Sequence, residues 1–161
     1  MGVEVERKFL VTCDQWRQAV SSQCQLRQGY LASSNRCLVR VRWSETVGWV
    51  TIKGLTSLTD QGALRRPEYE WQIDPQSARE LIDNCAYATV EKTRYHLDQQ
   101  PGEWTVDVFY GENAGLVLLE IEGETAAQLP ERDLPQWVGQ EVSADPRYAN
   151  AYLAKHPYTR W

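Results

Sequence analysis

Residues 3–9 read Val-Glu-Val-Glu-Arg-Lys-Phe, so apolar and charged side chains alternate almost strictly. Because successive side chains of a β-strand point to opposite faces, this stretch predicts a strand. One face carries Glu4, Glu6 and Lys8, and the other face is mostly apolar. A solvated strand face usually mixes Thr, Ser, Gln and Lys, and this one carries only full charges.

The same two-residue period recurs along the chain, with turn residues between its segments. Strands are predicted near 3–11, 27–32, 36–44, 48–54, 66–73, 89–97, 103–110 and 116–123. Their polar faces carry Arg40 and Arg42, then Lys53, Glu68 and Glu70, Lys92 and Arg94 with His96, Asp107, and finally Glu120 and Glu122. Acidic and basic pairs are thus segregated onto different strands, while the opposite faces are apolar.

Helices are expected at fewer positions, each from its start signals. They are predicted at 14–22 with Thr12 or Asp14 as N-cap, at 75–84 after Asp74-Pro75, at 146–155 after Asp145-Pro146, and as a short turn near 133–138. Segment 54–65 is expected to be a polar loop.

These elements predict one domain over residues 1–161, mainly β with flanking α-helices. A closed eight-stranded antiparallel β-barrel with a charged lumen explains the segregated faces, because eight strands enclose room for one small ligand. The apolar faces would then point outward, under the helices. The alternative is a β-sandwich whose charged faces are simply solvated.

Composition limits the function classes. The net charge of −5 argues against general nucleic-acid binding, which needs a basic face. Four widely spaced cysteines form no C-x-x-C pair, which argues against a zinc site. Neither a signal peptide nor a membrane-spanning run is evident, so we expect a cytoplasmic protein without membrane or nucleic-acid partners.

Paired carboxylates suit a hard cation such as Mg²⁺ or Mn²⁺, which prefers oxygen ligands. Clustered arginine and lysine suit phosphate oxygens. A charged lumen that contains both would be costly if it were empty, because buried charges need partners. A polyphosphate bound to a divalent metal satisfies both sets.

The motifs resemble a known family. Glu4-Val5-Glu6-Arg7-Lys8 matches the N-terminal signature of the CYTH domain, or triphosphate tunnel metalloenzyme, superfamily. Later motifs follow in order: Arg40-Val41-Arg42, Lys53, Glu68-Tyr69-Glu70, Lys92-Thr93-Arg94, Asp107, Glu120-Ile121-Glu122 and Arg147-Tyr148-x-Asn150. The resemblance implies an eight-stranded antiparallel tunnel that binds a triphosphate with a divalent metal. Its members hydrolyse inorganic, thiamine or nucleoside triphosphates, or cyclise ATP. Short bacterial-type members look most like inorganic triphosphatases.

The acidic residues are therefore expected to be metal ligands. Glu4, Glu6, Glu120 and Glu122 are the main candidates and Asp107 is a fifth, with pairing to lumen arginines as the alternative. Glu68 and Glu70 either bind metal or hold the arginines in position.

The basic residues are expected to bind substrate. Arg40, Arg42, Lys53 and Arg94 would clamp the phosphates. Lys8 and Lys92 would contact the terminal phosphate, orient water or protonate the leaving oxygen, assisted by Tyr30 unless that residue belongs to the core.

Four further residues bear on these expectations. His96 is expected to be a structural hydrogen-bonding residue, and Trp49 to lie near an entrance. Arg66-Pro67 departs from the family pattern and predicts an edge-like or bulged start to its strand.

The sequence thus predicts a metal-dependent inorganic triphosphatase that acts as a monomer or homodimer on a small-molecule triphosphate. A thiamine- or nucleoside-triphosphatase, an adenylate cyclase and a non-catalytic polyphosphate-binding module remain alternatives.

Overall fold

The computed structural model describes residues 2–130 and 133–161. Within these ranges the strands are β1 (Gly2–Val11), β2 (Val20–Ser33), β3 (Leu38–Trp43), β4 (Gly48–Lys53), β5 (Ser57–Leu58), β6 (Leu64–Ile73), β7 (Ala88–Leu97), β8 (Glu103–Phe109), β9 (Val117–Gly123) and β10 (Val138–Glu141). The α-helices are α1 (Pro75–Cys85) and α2 (Asn150–Lys155). Short 3₁₀ turns occupy Asp14–Ala19, Gly111–Asn113, Ala126–Gln128, Pro146–Tyr148 and Tyr158–Arg160.

Eight of these strands close into an antiparallel barrel in the order β1-β9-β8-β7-β2-β3-β4-β6. The barrel is closed by β6, which pairs back onto β1 from Gly2↔Glu68 to Glu6↔Leu64. Beyond that register, β10 pairs with the last residues of β1, and β5 pairs antiparallel with the first residues of β6. The predicted closed eight-stranded barrel is confirmed.

The barrel interior consists of a charged layer and an apolar layer. Tyr30 lies opposite Arg40 in the β2–β3 register, so both side chains are on the lumen face. Tyr30 nevertheless belongs to a buried apolar cluster with Val90, Phe109 and Leu153 of α2. The C-terminal helix therefore packs against apolar lumen residues, below the charged ones.

The outer surface is covered in two places. Trp16, Trp104 and Trp137 join a buried cluster over the strands around β1 and β9. On the other side α1 packs Ala78 and Ile82 against Val41 of β3. The contact with α1 needs glycine at position 48, because a Cβ there would lie 2.4 Å from the Cβ of Ala78.

Part of the outer surface was expected to be covered and is not. On β6, Tyr69 is 45% exposed and Trp71 is 49% exposed, and Val3 on β1 is 40% exposed. These side chains face outward as predicted, but α1 covers β3 and β4 rather than the β6 wall. The expectation that helices cover all the apolar faces was wrong here.

The predicted strands agree with the structure except at 27–32. There the strand begins much earlier, at Val20, and runs to Ser33. It pairs with β7 from Val20↔Leu97 to Tyr30↔Ala88. The predicted helix 14–22 is accordingly only the 3₁₀ turn Asp14–Ala19, and Cys13 is its N-cap. Pairing with β7 overrides the weak local helical pattern.

The other helix predictions had mixed outcomes. α1 begins after Asp74, whose carboxylate accepts a hydrogen bond from the Ser77 N–H as predicted. The predicted helix 146–155 is split into the turn Pro146–Tyr148 and α2. The structure shows no helix over 133–138, since Val138 opens β10 on the edge of β1.

The segment around Pro67 is regular rather than bulged. Pro67 lies opposite Val3 in an unbroken β1–β6 register. Pairing of β6 with β4 ends at Lys53↔Glu68, so the missing N–H of Pro67 falls beyond the β4 strand. The carbonyl of Pro67 still accepts a hydrogen bond of 2.8 Å from the Gly54 N–H. The segment 54–65, which was expected to be a polar loop, contains the short strand β5.

Candidate active site in the barrel lumen

The charged part of the lumen encloses a cavity of about 310 Å³. Its lining includes seven basic side chains, Lys8, Arg40, Arg42, Lys53, Arg66, Lys92 and Arg94. It also includes seven acidic ones, Glu4, Glu6, Glu68, Glu70, Glu103, Glu120 and Glu122. Every basic residue that the sequence assigned to substrate lines this cavity. Among the acidic candidates, only Asp107 does not line it.

The β1–β9 wall carries four of the predicted metal ligands. In the register Glu6 lies opposite Glu122, and Lys8 lies opposite Glu120. The Lys8 Nζ atom lies 3.0 Å from Glu120 Oε1 and 3.4 Å from Glu6 Oε1. Although burial favours the neutral amine, the carboxylates of Glu120 and Glu6 raise the pKa of Lys8 above its usual value. Lys8 is therefore a permanent ammonium in this wall.

Arg66 is a lumen residue that sequence reasoning had noted only as a departure from the family pattern. Its Nε lies 2.8 Å from Glu4 Oε2, and a terminal nitrogen lies 3.1 Å from Glu6 Oε1. Glu4 also accepts a hydrogen bond of 3.1 Å from Lys53. The signal available in the sequence was the period of β6, which places Arg66 on the same face as Glu68 and Glu70.

Glu70 holds the two arginines of β3. It accepts hydrogen bonds from Arg40 at 3.5 Å, from Arg42 at 3.3 Å and from the Thr51 hydroxyl at 2.7 Å. Glu68 lies 2.7 Å from the Lys53 Nζ. These contacts favour the alternative that Glu68 and Glu70 hold basic side chains in position, although neither carboxylate contacts Arg94 in the described residues.

The same arginines retain unused capacity for an anion. Within the described residues the buried Nε atoms of Arg40 and Arg42 have no hydrogen-bond partner. Burial, followed by repulsion from Arg40 and Arg94, lowers the pKa of Arg42 to about 10. An anion in the cavity would relieve this repulsion and supply acceptors for the free N–H groups.

Asp107 lies behind the lumen surface. It is fully buried, pairs with Lys92, and accepts two hydrogen bonds of 2.8 Å from Arg94. Arg94 also pairs with Glu120. The fifth candidate metal ligand therefore does not line the cavity, and its carboxylate is paired with two cations. This placement favours the alternative of a paired carboxylate over a metal ligand.

Lys92 lies at the floor of the cavity, next to α2. Its Nζ donates a hydrogen bond of 3.2 Å to the Asn150 side chain, which also lines the cavity. Burial, followed by the neighbouring Arg94 charge, lowers the pKa of Lys92 to about 8. Asn150 belongs to the C-terminal motif, and in the structure it lies at the floor of the cavity, where it contacts the Lys92 amine.

Tyr30 lies on the lumen face opposite Arg40 but does not line the cavity. It lies in the apolar layer with Val90, Phe109 and Leu153. Burial raises the pKa of its hydroxyl to about 12. The expectation that Tyr30 assists proton transfer is therefore corrected to the core alternative.

Trp49 and His96 both line the cavity. The Trp49 ring is covered by the Arg42 guanidinium at 4.8 Å. His96 Nδ1 lies 3.3 Å from Glu103 Oε1, and hydrogen bonding to Cys24 and Glu103 raises the pKa of His96 to about 9. Glu103 itself was missed, because it stands at the very start of β8.

The carboxylates of the β1–β9 wall offer the oxygen donors that Mg²⁺ and Mn²⁺ prefer. Burial, followed by repulsion from Glu4, Glu6 and Glu120, raises the pKa of Glu122 to about 8. Within the described residues Glu122 has no salt-bridge partner, whereas Glu4, Glu6 and Glu120 are paired with lumen cations. The oxygen donors of this wall fit a divalent cation. In residues 2–130 and 133–161, however, no three Asp, Glu, His or Cys side chains converge into a ready metal site. Lysine and arginine side chains lie between them instead.

The match with a family model decides the family. The model described as the CYTH domain matches residues 2–149. The chain belongs to the CYTH domain family. A protein named inorganic triphosphatase from Acetivibrio thermocellus is 37% identical over 98% of this chain and 97% of its own length. One with the same name from Nitrosomonas europaea is 39% identical over 94% and 96%.

A solved structure described as the inorganic triphosphatase NE1496 shares the fold of this CYTH protein. Its TM-score is 0.64 at 33% identity, and the match covers 93% of this chain and 96% of that one. In the described part of this chain, no helix is both long and apolar enough to cross a membrane.

Proposed function

We propose that this protein hydrolyses inorganic triphosphate to diphosphate and phosphate within the barrel, with Mg²⁺ or Mn²⁺ as cofactor. The observation that carries the proposal is the cavity itself, about 310 Å³ in volume and lined by seven lysine and arginine side chains. Its size is at the low end for ligand pockets, which suits a bare polyanion. Two relatives that match nearly the full chain are named inorganic triphosphatases.

The basic side chains bind and orient the substrate. Arg40, Arg42 and Arg94 present fork-shaped donors that match phosphate oxygens, and Lys53 adds a point charge from β4. They neutralise negative charge that spreads over the transferred phosphoryl group in the transition state. Glu70 and Asp107 fix these cations before substrate arrives, so little reorganisation is needed during the reaction.

The reaction is attack of water on a terminal phosphorus atom, with cleavage of the bond to the bridging oxygen. The water loses a proton and the leaving diphosphate oxygen can take one up. Lys92 suits this exchange, because its pKa of about 8 allows both protonation states near neutral pH. Lys8 remains charged and serves as a donor to the terminal phosphate.

Glu4, Glu6, Glu120 and Glu122 would hold the metal. Once bound, a divalent cation neutralises phosphate charge and polarises the phosphoryl oxygens. Arg40, Lys53 and their neighbours cannot replace it fully, because they are partly neutralised by Glu68 and Glu70.

Phosphate release from tripolyphosphate, thiamine triphosphate and ATP, each with Mg²⁺ and with Mn²⁺, tests the proposal. We expect the highest kcat/KM for tripolyphosphate and no turnover with EDTA. Arg94→Gln should lose activity, whereas Arg27→Gln, an arginine on the same barrel that does not line the cavity, should retain it. Faster ATP turnover would instead favour a nucleotide substrate, for which Trp49 at the rim is the available stacking surface.

A further inference from the structure

Arg66 is one of two lumen cations that pair only with proposed metal ligands. Within the described residues, its salt-bridge partners are Glu4 and Glu6, both of which are proposed metal ligands. Lys8 is the other, with Glu6 and Glu120, but its side chain is more deeply buried, 5% exposed against 18% for Arg66. Lys53 also pairs with Glu68, and Arg94 is held by Asp107. Arg66 thus bridges two neighbouring carboxylates of β1 and nothing else.

The position of Arg66 follows from the barrel closure. Arg66 lies directly opposite Glu4 in the β6–β1 register, at the seam where the sheet closes. The pair is mostly buried, with side-chain exposures of 18% for Arg66 and 10% for Glu4. The guanidinium of arginine keeps its charge in proteins, so Arg66 is a cation in this wall.

We propose that Arg66 is a displaceable counterion that takes the place of the divalent cation between Glu4 and Glu6 in the ligand-free protein. Binding of the metal–triphosphate complex releases Arg66 from these carboxylates, and the freed guanidinium binds the triphosphate. Arg66 therefore couples metal binding to triphosphate binding. This inference rests on the proposed function of the site.

The coupling follows from the cost of leaving a buried cation without a partner. Metal alone would have to displace Arg66 and leave its guanidinium without an anion. Metal that arrives with triphosphate supplies that anion at the same time. The metal should therefore bind much more tightly with the polyanion than without it, and a neutral side chain at position 66 should weaken this dependence.

A second cavity gives Arg66 room to move but no better anion. It holds about 200 Å³ and is lined by Arg66 and Glu6, which also line the main cavity, together with Leu58, Leu64 and Pro146. Its further carboxylate, Asp145, already accepts two strong hydrogen bonds from Arg147. A released Arg66 side chain is thus directed by charge toward the phosphates in the main cavity.

Titrations with Mn²⁺ test the proposed role of Arg66. Bound Mn²⁺ is measured as the loss of the electron paramagnetic resonance signal of the free ion. Each titration is done with the metal alone and with a methylene-bridged triphosphate analogue that cannot be hydrolysed. The variants are Arg66→Gln and Arg66→Lys. Arg65→Gln is the matched control, because Arg65 is the adjacent residue on the exposed outer face of the same strand.

For the wild type and Arg65→Gln, we expect the analogue to tighten Mn²⁺ binding by about tenfold or more, within the usual range of coupling between sites. Arg66→Gln should bind Mn²⁺ alone more tightly than the wild type does, and should gain less from the analogue. Arg66→Lys keeps a cation, so its affinity for Mn²⁺ alone should lie between those of the wild type and Arg66→Gln. Circular dichroism confirms that each variant is folded.

The inference is overturned if Arg66→Gln binds Mn²⁺ alone no more tightly than the wild type. It is also overturned if Arg66→Lys binds Mn²⁺ alone more tightly than Arg66→Gln does. These are binding measurements, so they separate the inference from the proposed function. Wild-type protein that hydrolyses tripolyphosphate while Arg66→Gln leaves Mn²⁺ binding unchanged would reject only the role of Arg66.

Discussion

Asp107→Asn separates a structural carboxylate from a metal ligand. Asp107 is fully buried and is the shared partner of Lys92 and Arg94. The amide keeps the volume but loses the charge, so two buried cations lose a counterion. Removing one partner of a buried ion pair costs about 3–5 kcal/mol.

The structure places the expected cost near the lower end of that range. The pKa of Lys92 is already about 8, so this amine can lose its proton instead of remaining charged without a partner. Arg94 keeps Glu120 as a second partner. We therefore expect a loss of about 3 kcal/mol in the free energy of unfolding. In a domain of this size, each kcal/mol lowers Tm by about 2–4 °C, so the midpoint should fall by about 6–12 °C.

The assay combines thermal unfolding with metal titrations of triphosphatase activity. Asp107→Asn should lower both Tm and kcat, because Lys92 and Arg94 are no longer held in place, while the Mg²⁺ concentration for half-maximal activity stays unchanged. Asp98→Asn, at the exposed end of β7, is the control and should alter neither. A variant with wild-type Tm and a raised Mg²⁺ requirement would refute the reasoning and return Asp107 to the metal ligands.

Further predictions concern the other parts of the site. Glu4→Gln and Glu120→Gln should each lower kcat/KM for tripolyphosphate by at least about 100-fold, measured over a range of Mg²⁺ and Mn²⁺ concentrations. Glu120→Gln should also lower Tm, because Lys8 and Arg94 lose a buried partner. By NMR, His96 should titrate near pH 9 and lower in Glu103→Gln. Because folding raises the pKa of His96 from 6.5 to about 9, protonated His96 stabilises the folded protein. This contribution is complete below pH 6.5 and is lost as the pH rises through 9. Leu153→Ala should cost about 2–5 kcal/mol in thermal or urea unfolding, because it removes the fully buried apolar contact of α2.

Much of the barrel could be predicted, because its strands show their two faces locally. In β1, β7 and β9 charged residues recur at every second position over most of the strand, and the strands lie within a residue or two of their predicted positions. The first half of β2 could not be predicted in this way. From Val20 to Gln25 it is mostly exposed and polar, and it is a strand because β7 pairs with it. The sequence does not contain that long-range register in any local form.

The site follows the same division. Side-chain period alone identified which residues share the lumen face, and every basic residue expected there lines the cavity. Period does not say how far along the lumen a residue lies. Tyr30 and Arg40 share one face and one register position, yet Tyr30 joins the apolar layer that α2 covers. Depth is decided by the packing of a helix more than one hundred residues away in sequence.

Ion pairing within the lumen is the part that sequence could predict least, and it bears most on mechanism. Charges on one strand face can be counted, but their partners are set by closure of the barrel between β1 and β6. That closure places Arg66 against Glu4 and Glu6, where an isolated reading of β1 expects a metal. A lumen that must stay folded without ligand needs its carboxylates neutralised, and one that must bind metal needs them released. Cations that exchange between carboxylate and phosphate would meet both requirements, and this is the role that we propose for Arg66.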